Sequence, residues 1–424
     1  MKDKITANPS YSGFEHAHDT YNGISCASDG KIYYILCSDQ VDIAGRMFCI
    51  DPETLAITFL GDLNQMCGEE QAGLVVQGKS HVEFYEKNKK LYFATHVGYY
   101  EMIDEMERLP VHIPKNLGPY PGGHFLAFDL HTGETADFGI MCKNEGILSM
   151  TMDKDRDQLY GISWPTGYFI HFDINHNKTV LLDPISEKGE AGQLGEDYRV
   201  LCRSMFVDPD TGYVYFSTSE GDIFYYDPKT QEIKRRSDVH LRLDYFGTYD
   251  VTQPGSMGFN WRKIHWHPQE KVAYGIHGNS GYLFRFDPRK SHIELIERIT
   301  SSPSRTYGMY DQFSYGYLGF HLDAVKNRIH YLTGGPIFEN GKIIGGENIP
   351  RGGAKGPENL HLITYDLNEN RYTDHGPIFY PDGSRPSFVN SIALDKHGNI
   401  YSLARRNHEG KEIADLIRIS AVGS

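Results

Sequence analysis

The sequence contains little cysteine, little positive charge and no long apolar run. Six of its 424 residues are cysteines, and none of them forms a C-x-x-C pair or has the spacing of metal ligands. We therefore expect buried free thiols in a reducing compartment, and neither a disulfide framework nor a zinc site. Aspartate and glutamate outnumber lysine and arginine by 56 to 42, which gives a formal net charge of −14. This charge argues against a nucleic-acid or anionic-membrane partner, because both require a basic surface.

The chain also lacks the segments that target a protein to a membrane or for export. No apolar run approaches the ~20 residues that a membrane-spanning helix needs. The first residues, MKDKITANPSYSGFEH, have no apolar stretch of the kind found in a secretory signal. We therefore expect a cytoplasmic protein, or the mature form of an exported protein whose leader has been removed.

What the sequence has in quantity is tyrosine, glycine and a recurring strand pattern. Its 29 tyrosines and 44 glycines are typical of many short strands joined by tight turns. One unit recurs seven times: an apolar strand, a turn rich in Asp, Asn and Gly, a strand with an apolar-Tyr-apolar step, a loop, and an aromatic strand that ends in Asp. Its first half reads, for example, SMFVDPDTGYVYFS, and its second half reads FLAFDLHTGETADF or IFYYDPKTQEIKRR.

This repeat predicts an all-β fold, a seven-bladed β-propeller of four-stranded antiparallel blades that occupies residues 1–424 as a single domain. One four-stranded sheet leaves an apolar face exposed, whereas a radial arrangement covers every face and leaves only short edges. The chain begins with an innermost-strand sequence and ends on a weak last strand, LIRISAVGS. We therefore expect the N-terminal segment to complete the final blade.

In a propeller, the start of each innermost strand and the end of each second strand lie on the same face. The predicted innermost-strand starts are Asn22, His81, Ser149, Ser204, Lys263, Phe320 and Asn390. The predicted second-strand ends are His96, Trp164, Ser219, His277 and Arg405. With Lys79, Arg203 and Arg262 beside them, these positions predict a cationic face in an acidic protein. The long loops 97–123 and 334–358, and the connections around 245–261 and 307–317, open on the same face, so we expect function there.

The strongest local signal is GKSHVEFYEKNKKLYFATHVGYY, residues 78–100. It predicts that His81 and His96 lie at the tops of two paired strands, with Tyr99 and Tyr100 directly after. Two imidazoles that meet in one pocket can act as general base and acid, as metal ligands, or as donors to an anion. The alternative is that both are ordinary polar residues lining the central channel.

This hairpin resembles that of seven-bladed polysaccharide lyases acting on uronic acids, namely the rhamnose–glucuronate lyases and, more distantly, the ulvan lyases. These families carry two histidines on one blade, at positions matched here by K-S-H and A-T-H-V-G-Y-Y. The resemblance implies a lyase that cleaves a 4-linked uronide, glucuronate above all, by β-elimination. Its partner would be an acidic oligosaccharide or glycoside.

The chemistry of β-elimination, together with position on the predicted face, gives the residues their expected roles. His81 or His96 would remove the C5 proton and protonate the leaving C4 oxygen. Cations would neutralise the substrate carboxylate, because the C5 proton is otherwise a poor acid. The expected cations are Arg203 and Lys263, with Arg262 and Lys79 nearby. The expected sugar-binding side chains are Tyr99, Tyr100, Trp164 and His277.

The sequence requires no cofactor, but it leaves a divalent metal ion, Ca²⁺ or Mn²⁺, open. His277 could complete a three-histidine site with His81 and His96, as related oligogalacturonate lyases hold manganese on histidines at the centre of such a face. Two other functions also stay open: a non-catalytic propeller that binds a carbohydrate or a protein, and a metal-dependent lactonase-type hydrolase. The hydrolase would need a carboxylate-rich centre, whereas the predicted strand tops offer His, Ser, Lys and Asn.

Overall fold

The computed structural model describes residues 5–18, 21–302, 305, 319–335, 337–339, 342–344, 359–386, 389 and 391–421. These residues are nearly all β, and their main sheets are the four-stranded antiparallel blades of a β-propeller. The predicted fold class is therefore confirmed. Within these ranges, no helix is long and apolar enough to cross a membrane. The predicted site position Asn390 and most of the loops 307–317 and 334–358 lie outside the described residues.

Blades 1, 3, 4 and 5 each contain four consecutive antiparallel strands, whereas blades 2 and 6 carry insertions and blade 7 takes its fourth strand from the start of the chain. The first strand of the chain, β1, spans Ile5–Pro9 and belongs to the last blade. Blade 1 contains β2 (Ile24–Cys26), β3 (Ile32–Leu36), β4 (Arg46–Ile50) and β5 (Ile57–Asp62), followed by the short helix α1 (Leu63–Met66). Blade 2 is interrupted by insertions and comprises β6 (Gln77–Lys79), β7 (Tyr85–Lys87), β8 (Lys90–Ala94), β9 (His96–Val97), β10 (Glu101–Ile103), β11 (Met106–Arg108), β12 (Gly122–Asp129) and β13 (Thr135–Lys143).

The next three blades are regular, apart from two short 3₁₀ turns at Gly189–Ala191 and Asp244–Phe246. Blade 3 contains β14 (Gly146–Asp153), β15 (Gln158–Trp164), β16 (Tyr168–Asp173) and β17 (Lys178–Pro184). Blade 4 contains β18 (Phe206–Val207), β19 (Val214–Ser217), β20 (Asp222–Asp227) and β21 (Glu232–His240). Blade 5 contains β22 (Trp261–His267), β23 (Val272–His277), β24 (Tyr282–Asp287) and β25 (His292–Arg298).

The last two blades share β1. Blade 6 contains β26 (Phe320–Asp323), β27 (Arg328–Gly335), β30 (Asn359–Asp366) and β31 (Arg371–Phe379), with the small hairpin of β28 (Ile337–Glu339) and β29 (Lys342–Ile344) between them. Blade 7 contains β32 (Ala393–Leu394), β33 (Ile400–His408) and β34 (Lys411–Ile419). Its fourth strand is β1, which pairs antiparallel with β34 from Ala7↔Ile419 to Pro9↔Ile417. The prediction that the N-terminal segment completes the final blade is confirmed.

The aspartate at the end of the third strand in blades 1 to 6 explains why the repeat has an aromatic strand followed by Asp. In blade 1 the Asp51 carboxylate accepts hydrogen bonds from the backbone N–H groups of Glu53 (2.8 Å) and Thr54 (3.2 Å). In blade 2 the Asp129 carboxylate accepts in the same way from residues 131 and 132. Because the side chain satisfies donors that the turn leaves open, it fixes the hairpin to the fourth strand.

Contacts divide the chain into two compact units, each with its own core. The first comprises Met1–Asp3 and Thr151–Pro377, and the second comprises Lys4–Met150 and Ile378–Ser424. A large cluster of buried aromatic and aliphatic side chains, including Tyr160, Phe216 and Trp261, forms the core of the first unit. A second cluster, which includes Phe14 and Tyr34, lies in the second unit. None of the six cysteines is in a disulfide, and all but the half-buried Cys26 are buried.

Candidate active site

The segment that carries His81 and His96 does not form the simple hairpin that its sequence predicts. The short strand β6 pairs with β9, and the residue opposite His96 is Lys79. The innermost strand β7 begins only at Tyr85, so His81 lies before it and not at its first position. The reason is a close backbone approach at two glycines, since a Cβ added to Gly78 would lie 2.4 Å from the Gly98 Cα. The chain therefore bends between β6 and β7, and residues 79–81 are held beside residues 96–98.

This bend brings four of the predicted side chains together, with one that was not predicted. The His81 and His96 ring centroids are 5.7 Å apart. The His96 ring meets the Tyr100 ring edge-on at 6.0 Å. Tyr21, from the segment before β2, lies 4.4 Å from the His81 ring. The Lys79 ammonium completes a closed circle, because its Nζ lies 4.1 Å from both tyrosine ring centroids. We call these five residues the histidine–tyrosine cluster.

Backbone carbonyls fix the tautomer of both imidazoles. The His81 Nδ1 is 2.9 Å from the Leu148 carbonyl oxygen, and the His96 Nδ1 is 2.9 Å from the Val97 carbonyl oxygen. A carbonyl oxygen can only accept, so each Nδ1 carries the proton and donates it. In the neutral imidazole, each Nε2 therefore carries the lone pair that a general base or a metal ligand uses.

Lys79 provides a buried positive charge within the histidine–tyrosine cluster. Its side chain is 2% exposed, and its ammonium lies between the faces of Tyr21 and Tyr100. The negative faces of two aromatic rings attract an ammonium by about 0.5–2 kcal/mol each, more when water is excluded. The rings thus hold the cation at a fixed place beside the two imidazoles.

Access to the cluster differs between its members. Tyr100 and its neighbour Tyr99 are half-buried. His81 keeps 5% of its surface exposed, whereas His96 has none. Both histidines are therefore buried, and His81 is the less enclosed of the two.

Sequence reasoning missed Tyr21, although a signal for it was present. Tyr21 directly precedes Asn22, which was predicted to start the innermost strand of blade 1. The Asn22 side-chain amide donates to the His81 carbonyl oxygen at 3.3 Å, which holds this segment beside residues 79–81. An aromatic residue next to a predicted strand start could have been placed on the same face as the histidines.

Trp164 and Arg203 lie in the other unit, where a glutamate that was not predicted joins them. The Arg203 guanidinium pairs with the Glu190 carboxylate at 2.6 Å, and the Trp164 indole N–H donates to the same carboxylate at 2.8 Å. All three side chains are buried. Arg203 thus already binds a carboxylate of its own chain, which leaves less of its guanidinium for a substrate.

The other predicted residues of this unit are also buried. The His277 ring stacks on Phe246 at 4.1 Å, and its Nδ1 accepts from the Ser280 backbone N–H at 3.2 Å. Burial lowers the pKa of His277 to about 3, so the imidazole is neutral. Arg262 and Lys263 lie on β22 and are each 5% exposed. Their predicted roles, and that of His277, stay predictions.

The described residues contain no group of three or more His, Cys, Asp or Glu side chains that could hold a metal ion. The three-histidine site considered from the sequence therefore has no counterpart among them. The divalent metal ion, Ca²⁺ or Mn²⁺, that the sequence left open stays a prediction.

No family model and no curated protein matches the chain. Among solved structures, it is similar to a chain of the mitotic checkpoint complex, with 8% identity and a TM-score of 0.53 over 100% of this chain and 95% of that one. It is also similar to the extracellular domains of two proteins described as hybrid two-component systems of B. thetaiotaomicron. Both are 12% identical, with TM-scores of 0.52 and 0.50, over 99% and 98% of this chain but only 40% and 41% of those chains. At these identities the likeness extends to the fold alone, and that fold is the all-β architecture described above.

Proposed function

We propose that the protein is a carbon–oxygen lyase that cleaves a 4-linked glucuronate glycoside by β-elimination at the histidine–tyrosine cluster. The observation that carries the proposal is the contact between His81 and His96 beside a buried Lys79 ammonium. A site of this kind offers a base with a defined lone pair next to a fixed positive charge. These are the two requirements for removing a proton next to a carboxylate.

In the proposed reaction, His81 Nε2 takes the proton from C5 of the uronide. The electron pair of that C–H bond forms the C4–C5 double bond, and the C4–oxygen bond breaks. The leaving oxygen takes up a proton, which the His81 imidazolium returns. The products are a 4,5-unsaturated uronide and a free hydroxyl on the leaving sugar, so the reaction consumes no water and needs no other reactant.

The surroundings of His81 support this role for it over His96. Its Nδ1 proton is held by the Leu148 carbonyl oxygen, which orients Nε2 away from the backbone. His81 also keeps 5% of its surface exposed, against 0% for His96. The Lys79 ammonium supplies positive potential for the enolate-like charge that develops on the carboxylate, and half-buried Tyr99 and Tyr100 offer a surface for the sugar. The predicted roles of Arg203, Arg262 and Lys263 in holding the substrate carboxylate stay predictions.

One assay of the wild-type protein separates the proposed function from its rivals. The protein is incubated with rhamnose–glucuronate and other 4-linked glucuronate glycosides, and the ultraviolet absorbance of the unsaturated uronide is followed over time. We expect the absorbance to rise, and mass spectrometry to find two products whose masses sum to that of the substrate. A lactonase-type hydrolase or a carbohydrate-binding module would give no such chromophore. A flat absorbance trace on every uronide, with or without added Ca²⁺ or Mn²⁺, would overturn the proposal.

A further inference from the structure

Tyr21 is the one member of the histidine–tyrosine cluster that comes from outside residues 78–100. We infer that Tyr21 is a positioning residue, whose ring holds the Lys79 ammonium and the His81 imidazole in fixed positions relative to each other. This inference rests on the proposed function for its catalytic consequence, but its structural half can be tested without any substrate. A tyrosine that precedes blade 1 thereby becomes part of the site on blade 2.

Tyr21 contacts two functional groups of the cluster. Its ring centroid lies 4.4 Å from that of the His81 ring, and the two rings are tilted by 36°. The Lys79 Nζ lies over the ring face at 4.1 Å from its centroid. Tyr21 itself is 6% exposed, so water does not weaken these contacts as it would at a surface.

The chain around Tyr21 is itself fixed against the same segment. The Asn22 amide donates to the His81 carbonyl oxygen at 3.3 Å. Gly23 packs on Ser80, where an added Cβ would lie 3.4 Å from the Ser80 Cβ. Three consecutive residues, 21–23, therefore contact three consecutive residues, 79–81. This register places the Tyr21 ring against Lys79 and His81 and leaves it little freedom to turn away.

These distances are measured to the Tyr21 ring, which leads to a test with two substitutions. Tyr21→Phe keeps the aromatic face, whereas Tyr21→Leu replaces it with a smaller aliphatic side chain. A control is Tyr11→Leu, because the Tyr11 ring also lies against a histidine, His408, at 4.1 Å but outside the cluster. Melting temperatures of all three variants show whether the fold is kept.

The first measurement is the rate at which Lys79 is reductively methylated, followed by mass spectrometry of the peptide that contains it. We expect Lys79 to resist modification in the wild type, in Tyr21→Phe and in Tyr11→Leu, and to react at least tenfold faster in Tyr21→Leu. Equal protection in Tyr21→Leu and in the wild type would overturn the inference. This measurement decides the matter even if the protein acts on no uronide.

The second measurement applies where the wild type turns over a glucuronate glycoside. We expect Tyr21→Leu to lower kcat about tenfold or more while KM changes less than threefold, because the base and the cation lose their alignment in the transition state. Tyr21→Phe should restore kcat to within about threefold of the wild type. If Tyr21→Phe is as impaired as Tyr21→Leu, the hydroxyl and not the ring is what matters, and the positioning role as stated is wrong.

Discussion

At the scale of single residues, carboxylate partners separate the buried histidines of this chain into groups with opposite charge preferences. Burial would lower the pKa of His124, but its hydrogen bonds with Asp137, Cys67 and Glu69 raise it to about 11. Its contribution to stability is complete below its unfolded pKa of about 6.5 and is lost as the pH rises toward 11. His171 behaves in the opposite way, since burial lowers its pKa to about 4.

His171 yields a prediction for the acid side of the stability curve. Its imidazole is 7% exposed and lies 2.9 Å from the Tyr226 hydroxyl and 2.7 Å from the Gln158 amide oxygen. Because the folded pKa lies below the unfolded one, its stabilisation is complete above about pH 6.5 and is lost as the pH falls from 6.5 to 4. We expect the free energy of unfolding to fall by about 3 kcal/mol more in the wild type than in His171→Gln over this range.

Urea unfolding at pH 7 and at pH 4.5 measures this difference. His176→Gln serves as the control, because His176 lies on an exposed turn with its side chain 77% exposed. It should keep the pH dependence of the wild type. An equal fall in the free energy of unfolding between pH 7 and pH 4.5 for the wild type and His171→Gln would contradict the account of His171 as a buried neutral imidazole.

The residues of the candidate site were predictable only as far as they lie in one stretch of chain. Lys79, His81, His96 and Tyr100 all fall within residues 78–100, so their spacing along two adjacent segments was enough to bring them together. Tyr21 comes from the segment before blade 1, and its only signal was its position next to Asn22, the predicted start of an innermost strand. Glu190, the partner of Arg203, lies in a 3₁₀ turn between blades that the strand repeat does not describe.

At the scale of single elements, three blades share a side-chain contact between one position on the third strand and one on the fourth. The first position lies within the first three residues of the third strand, and the second follows thirteen residues later on the fourth strand. The side chains at these positions contact each other in three blades: His124 and Asp137 at 2.9 Å, Asp222 and Arg235 at 2.8 Å, and His361 and Asp374 at 2.9 Å. Each pair lies next to a β-bulge in its strand. The two histidine–aspartate pairs are thus cross-strand contacts of the repeat, which makes a structural role the simplest account of them.

The turn after each third strand has a second fixed feature, a left-handed residue four positions beyond the aspartate. Glycine or asparagine occupies it in blades 2, 3 and 6, at Gly133 (φ 74°), Asn177 (φ 49°) and Asn370 (φ 48°). In blade 1 the same position is Leu55, with φ 60° and 51% of its surface exposed. An ordinary side chain in this conformation costs about 1–2 kcal/mol, and asparagine adopts it more readily.

Leu55→Asn should therefore stabilise the protein by about 1 kcal/mol and raise its Tm. The control is Leu181→Asn, because Leu181 is similarly exposed but lies on the extended strand β17. Thermal unfolding of both variants measures the effect. A Tm for Leu55→Asn no higher than that of Leu181→Asn would show that the left-handed turn is not strained by leucine.

At the scale of the whole molecule, the repeat predicted the blades, but the insertions fell outside it. The second strand with its tyrosine occurs in every blade, and the third strand ending in Asp in blades 1 to 6, because alternation and turn chemistry are local properties. The loop 97–123, by contrast, was interpreted as having no regular structure, yet it contains the hairpin of β10 and β11. These strands are only three residues long, too short for an alternation that would predict their pairing.

The closure of blade 7 by β1 depends on a buried carboxylate as well as on strand pairing. Asp415 on β34 is 0% exposed and accepts from the Ser12 backbone N–H at 2.7 Å and the Ser12 hydroxyl at 2.6 Å. Burial raises the pKa of Asp415, and the hydrogen bonds from Ser12 act in the opposite direction by stabilising its charged form. Ser12 therefore fixes the chain just after β1 to the last strand of the sequence.

Ser12→Ala should lower the free energy of unfolding by about 1–3 kcal/mol, because it leaves part of a buried carboxylate without a donor. Ser384→Ala is the matched control, since the Ser384 hydroxyl also donates to an aspartate at 2.6 Å but on an exposed turn. We expect its effect to stay below about 0.5 kcal/mol. Chemical denaturation compares the two variants, and equal losses would mean that the Ser12 contact adds nothing to closure.

The central claim is that His81 is the base of an elimination reaction, and His81→Gln tests it most directly. Glutamine has a similar size and can still donate to the Leu148 carbonyl oxygen, so the blade should stay folded while the lone pair of Nε2 is lost. The control is His131→Gln, on an exposed turn of blade 2. We predict that His81→Gln lowers kcat on a glucuronate glycoside by roughly 10²–10⁴-fold with an unchanged Tm, and that His131→Gln keeps wild-type kcat. Turnover by His81→Gln within tenfold of the wild type would contradict the account.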